Sequence, residues 1–217
     1  TRSLCDWSSD VCSSDLALML APFGAETVAS HQIALNFSSL VFMLPLSIGV
    51  GVTIRVGHNI GEGQPDQARV AARTGLMLGM GVAAATAALT VLLRDPIAGI
   101  YTDDLQVIGL AATLLFFAAI YQISDSVQVV AAAALRGYKD TQAIFYVTIV
   151  AYWGLGLPTG MILGLTDWVV PRMGPQGFWI GFIVGLTSAA LMLGARLRVI
   201  YGRFASPAAC TALSRAQ

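Results

Sequence analysis

The 217-residue chain reads as an all-α polytopic membrane protein, with five complete transmembrane helices following the remnant of another. Hydrophobic residues make up 56% of it and charged residues only 11%, under half the roughly 25% charged residues of a soluble globular domain. Mean hydropathy is +0.73. The apolar residues fall in blocks of about twenty, the length at which a helix rising 1.5 Å per residue crosses a hydrocarbon core of about 30 Å. A soluble enzyme is excluded on these grounds. Formal net charge is zero, so no basic surface recruits nucleic acid, and charge matters by position rather than by total.

Residues 1–16, TRSLCDWSSDVCSSDL, stand outside that pattern. They show neither a helical nor a strand period. Asp6, Asp10 and Asp15 interrupt any apolar run of the kind a signal peptide needs. The stretch CDWSSDVCSSDL resembles the conceptual translation of a sequencing-adapter oligonucleotide and is set apart from fold reasoning; the alternative is a disordered polar tail. Cys5 and Cys12 match no metal-ligand spacing, and Cys210 stands alone in a polar tail. Residues 17–24 are too short to span, and Pro22 with Gly24 reads as the end of a helix whose body is missing.

The spans are expected at 28–51, 75–93, 105–135, 143–165 and 177–200, with a polar tail from 202 to 217. The third exceeds one bilayer crossing, so it tilts or projects past the interface. Arg55, Arg69 and Arg73 follow the first span, Arg136 and Lys139 follow the third, and Arg196, Arg198, Arg203 and Arg215 belong to the tail. The opposite loops hold only Arg94 and Arg172, so the positive-inside rule puts the other nine, and the C-terminus, in the cytoplasm. Trp168 and Trp179, near span ends, are expected as interfacial anchors. Glycines recur four apart at 75 and 79, at 156, 160 and 164, and at 177, 181 and 185. Each set makes a flat stripe where another helix backbone can approach.

Outside the first sixteen residues nine acids remain, and eight lie in loops or at span ends. Asp125 is the exception, near the middle of the third span, where a carboxylate costs roughly 2.5–3.5 kcal/mol. Such a cost marks a functional group able to exchange a proton; the alternative is an acid simply hydrogen-bonded to Ser124 or to another helix. Tyr121 and Gln128, four residues before and three after, share its helix face. On the first span Gln32, Asn36 and Ser39 form a polar stripe that must face protein or a water-filled cavity, because lipid cannot satisfy it. Interhelical hydrogen bonding and cavity lining both fit. His31, beside them near the outer end, reads as an interfacial or hydrogen-bonded histidine. Asn36-Phe37-Ser38 matches a glycosylation acceptor in form only, since it lies within the membrane. Asp103 and Asp104 open the third span, where spacing alone suggests a solvated pair. Pro45 and Pro158 interrupt the first and fourth spans as candidate kinks.

The runs ASHQIALNFSSLVFMLPLSIGVGVTIRVGHNIGEG, IYQISDSVQVVAAAALRGYKDT, AYWGLGLPTGMILGLTD and MGPQGFWIGFIVGLTSAA resemble the C-terminal half of NorM-type multidrug and toxic compound extrusion (MATE) transporters, over residues 25–201. The resemblance implies one lobe of a two-lobe, twelve-helix fold in the bacterial inner membrane, its partners being the lipid bilayer and the N-terminal lobe of the same polypeptide. It implies an antiporter exporting cationic, amphipathic drugs against sodium or proton entry, with no other cofactor. Asp125 matches the membrane-embedded acid implicated in cation coupling, a candidate sodium site, and Tyr121 the tyrosine one turn before it. Gln32 falls on the glutamine that lines the drug cavity, and Asp103 and Asp104 fall where acids face it; Asn36, on the face of Gln32, and Gln128, on the face of Asp125, are grouped with them as substrate-binding. The family's second cation-site acid comes from a helix not present here, so the resemblance also implies that this chain alone does not transport. A lipid-linked oligosaccharide flippase of the same superfamily would need several arginines in its cleft. An intramembrane enzyme would need a second carboxylate, a serine-base pair or a metal cluster in the spans, and a non-transporting structural protein is the remaining alternative.

Overall fold

A computed structural model describes residues 25–102, 104–165 and 175–204, and all its elements there are helices. In chain order they are α1 (Ala25–Gly61), α2 (Pro65–Leu92), α3 (Arg94–Tyr101), α4 (Leu105–Gly137), α5 (Thr141–Ile149), a π-helical segment (Val150–Gly156), α6 (Leu157–Leu165) and α7 (Pro175–Phe204). Five stretches are long and apolar enough to cross a membrane: α1, α2, α4, the continuous run of α5, π segment and α6, and α7. That count agrees with the sequence reading. The segments assigned to residues 1–16 and 17–24, most of the tail, and Asp103, Trp168 and Arg172 lie outside the described residues.

The helices overrun the expected spans. With 37 residues, α1 extends about 55 Å at 1.5 Å per residue, well beyond one hydrocarbon core. Arg55 therefore lies on α1, and Arg69 and Arg73 on α2, rather than in a loop. Arg196 and Arg198, expected in the tail, belong to α7. Long, unbranched arginine stems suit a helix as well as apolar residues do, so the end of a hydrophobic block is not the end of a helix. Only residues 62–64 break the first pair of helices. Gly63 takes a positive φ of 70° there, a backbone state that glycine adopts without steric penalty, and Pro65 opens α2 where its missing N–H costs nothing. The loop expected after the second span contains the short α3, which buries Ala98 against the lobe.

Helix α4 is the axis of the lobe. It packs most extensively on α1, then on α7 and α2. Two apolar clusters meet along it. One gathers Val52 and Val56 of α1, Ala68 and Ala72 of α2, Val130, Ala131, Ala132, Ala134 and Leu135 of α4 and Leu193 and Leu197 of α7. The other gathers Ile33 and Ala34, then Leu114, Leu115 and Tyr121 of α4 with Trp179 and Leu186. Residues 122–129 of α4 separate the two, and most of its polar side chains are there. The turn after α4 has Lys139 at φ 61° and is tied to α7 by Arg196 Nε donating to Asp140 Oδ2 at 2.7 Å.

The glycine stripes do pack as expected. A Cβ on Gly156 would stand 3.2 Å from Gly185 Cα, and one on Gly181 would run into the backbone of Gly160. Backbone thus meets backbone where α6 and the π segment cross α7. Gly75 faces Val52, and Gly79 faces Val130 and Ser126.

Candidate functional site

The polar stretch of α4 uses its hydroxyl and amide side chains to tie the lobe together. Gln122 Nε2 donates to Thr86 Oγ1 of α2 at 2.6 Å. Ser126 Oγ donates to the Gly79 carbonyl at 3.0 Å. Ser124 and Thr187 of α7 share a hydroxyl hydrogen bond of 3.0 Å. Ser124 is therefore engaged with α7.

Tyr121, Asp125 and Gln128 lie together on α4, as their spacing requires. Tyr121 is 9% exposed. Its hydroxyl lies near Ser38 of α1, whose own Oγ donates to the Ala34 carbonyl at 2.7 Å, and interacts electrostatically with the Asp125 carboxylate one turn on. Its ring packs on Trp179, with centroids 5.7 Å apart, and edge-on against Phe182 at 6.0 Å. Asp125 itself is half-buried. None of the ion pairs among the described residues involves it. Nor do any three His, Cys, Asp or Glu side chains come together among those residues to hold a metal. One carboxylate, one phenol hydroxyl and one amide thus lie within two turns of α4.

Gln128 closes the site on its other side. Its Nε2 donates to the Tyr152 hydroxyl at 2.9 Å, and that hydroxyl donates to Gln128 Oε1 at 3.0 Å. Tyr152 comes from the π segment, whose position has a local cause. Pro158 has no N–H and its ring crowds the carbonyl four residues earlier; just before it, the Leu157 N–H reaches back five residues to the Tyr152 carbonyl. The expected kink at Pro158 thus takes the form of a wide helical turn, a feature frequent at functional sites. Sequence reasoning missed Tyr152, Ser38 and Thr187. A phenol in the middle of the fourth span, a few residues after Tyr146, was the available signal for the first, but nothing in the chain's order pairs it with Gln128.

Other predicted site residues stand apart. Gln32, Asn36 and Ser39 lie on the exposed side of α1, with Ser39 Oγ donating to its own helix at Leu35. Asp104 is exposed and caps α4, its carboxylate accepting from the Gln106 N–H at 2.9 Å. His31 and Trp179 correct the expectation for both: neither is interfacial, at 0% and 2% exposed. They pack edge to face with centroids 5.7 Å apart, because the indole fills the space between α1, α4 and α7 rather than reaching toward headgroups.

The MatE family profile matches residues 11–162, well over half the chain. This chain belongs to the MatE family. It is 60% identical over 185 residues to multidrug resistance protein MdtK of Pectobacterium atrosepticum, covering 85% of this chain and 40% of that protein. It is 61% identical over 186 residues to multidrug resistance protein NorM of Vibrio vulnificus, covering 86% and 41%. The MatE chain thus spans about two fifths of the length of these relatives. Among solved structures it resembles an outward-facing multidrug resistance MATE family transporter of the MOP superfamily, with TM-score 0.79 and 17% identity over 90% of this chain and 43% of that one. It also resembles the eukaryotic MATE transporter AtDTX14, with TM-score 0.78 and 22% identity over 89% and 45%. The MatE fold seen here is a multi-pass helical membrane fold, and the coverage corresponds to one lobe.

Proposed function

We propose that this chain is the C-terminal lobe of a multidrug efflux antiporter of the bacterial inner membrane, with its C-terminus in the cytoplasm, exporting cationic amphipathic compounds in exchange for sodium or protons. The observation that carries the reading is the single carboxylate of Asp125, half-buried in a span and flanked by Tyr121 and Gln128. The names of the relatives support the substrate class, and the nine basic residues on one side support the orientation.

Alternating access supplies the mechanism: two lobes rock about a central site, and one face opens at a time. In the outward state sodium or a proton neutralises Asp125, which weakens its hold on a cationic drug and lets the drug leave. In the inward state the cation departs and the bare carboxylate accepts drug again. The two ligands compete for one negative charge, and the competition is the coupling. Gln32 and Asn36, on the exposed side of α1, line the drug path with Asp103, Asp104 and Gln128. The test is Asp125→Asn in the full-length transporter. Gradient-driven efflux is abolished while membrane insertion stays intact; normal efflux from a well-expressed variant refutes the assignment.

A further inference from the structure

Among the buried nitrogens without a hydrogen-bond partner in the described residues are His31 Nδ1, His31 Nε2 and Trp179 Nε1. Such groups are rare in folded proteins because each one buried unmet forfeits the hydrogen bond it had in water. A neutral imidazole has one donor and one acceptor nitrogen, and an indole has one donor, so the pair brings three separate needs to one place. Phenylalanine at both positions would fill similar space without incurring them. Both side chains are covered by the lobe itself, at 0% and 2% exposed, so a second lobe packed on the outside does not touch them. A partner that small, internal and able to both donate and accept is water.

The pair also abuts the ion site. His31 meets the Trp179 ring edge to face, with an interplanar angle of 77°. The same indole packs on Tyr121, which precedes Asp125 by one turn on α4 and interacts electrostatically with it. Residues of α1, α7 and α4 are thereby linked in one series of neighbours ending at the carboxylate. We propose that His31 and Trp179 hold internal water, and that this hydrated pair is a positioning element that fixes Tyr121 against Asp125 and so sets the affinity for the coupling cation. The proposal rests on the ion-coupled reading above. It adds His31 and Trp179 as positioning residues, with water as their ligand.

The experiment uses the full-length transporter in proteoliposomes and separates the half-saturating concentration of the coupling cation from the KM for drug. His31→Phe and Trp179→Phe keep the aromatic contacts and remove the hydrogen-bonding atoms. Each raises half-saturation for the cation by about fivefold, the lower end of measured coupling between sites, a larger change than that in the KM for drug. His31→Asn, which restores polar atoms, recovers much of the loss. Asp125→Asn is run alongside: if it leaves the cation dependence intact, the ion-coupled reading itself fails. If it abolishes that dependence while both phenylalanine variants match the parent, the positioning role is refuted. Should His31→Phe fail to reach the membrane, Trp179→Phe decides by the same criterion. A high-resolution density map with ordered water against His31 supports the assignment, and a protein group at that place overturns it.

Discussion

Replacing Gly181 by alanine tests whether the lobe is held together by backbone contact between α6 and α7. The added methyl would sit 2.8 Å from the Gly156 carbonyl oxygen and nearer still to the Gly160 backbone. Comfortable carbon contacts lie at about 3.5–4.0 Å, so the helices must part by about 1 Å at the crossing. Overpacking of this kind costs about 1–3 kcal/mol. Alanine also gains about 1 kcal/mol over glycine in helix propensity, which masks part of the loss. Gly194→Ala on the same helix is the control, because a Cβ there meets nothing within 4 Å. Subtracting one variant from the other cancels the propensity and leaves the packing cost. In lipid, where apolar burial does not drive helices together, close packing is a main source of association, so no other contact at this crossing makes up the loss. Unfolding of the full-length protein in mixed micelles, followed by circular dichroism against detergent fraction, gives both free energies. Equal stability of the two variants would refute the reasoning.

Tyr152→Phe removes both hydrogen bonds to Gln128 and is expected to destabilise the lobe by about 1 kcal/mol in the same unfolding titration, with Gln128→Leu added to Tyr152→Phe costing little more. At Asp104, asparagine keeps the cap on α4 and alanine loses about 1 kcal/mol of it; a drop in drug affinity on Asp104→Asn with unchanged stability assigns the carboxylate to the drug path. Cysteine scanning fixes orientation: Glu62→Cys is expected to react with an impermeant maleimide only in inverted vesicles, and Asp104→Cys only in intact cells. Reversed labelling of either would invert the proposed topology.

Much of this architecture was legible because a bilayer leaves backbone polar groups no partner but the helix itself. Any apolar block of the right length must then be a helix, and five were found. Helix ends were not legible, since Arg55, Arg69 and Arg196 continue helices beyond the apolar blocks that announce them. Asp125 stood out because its burial in a span is costly, and Tyr121 and Gln128 followed from the helical period. Periodicity assigns a residue to a face of its own helix, but not to the neighbour that meets that face. Tyr152 opposite Gln128, and Thr187 opposite Ser124, therefore emerge only once the helices are assembled. Trp179 was misplaced for the same reason: position near a span end suggested the interface, and packing put it inside.

The wide turn at residues 150–156 acts as a phase shifter between the halves of its span. An α-helix advances about 100° per residue, and drawing the Leu157 N–H back to the Tyr152 carbonyl absorbs one residue more than a regular turn. The half before it buries Ile144, and the half after it presents Gly160 to α7. Straightening the segment into a regular helix with all its residues kept would rotate everything downstream by about 100°, turning the glycine stripe away from its mate. Removing one residue as the turn straightens would keep the stripe aimed at α7. The wide turn is thus a setting of aim rather than of length, and its effect falls at the far end of the span from where it is made.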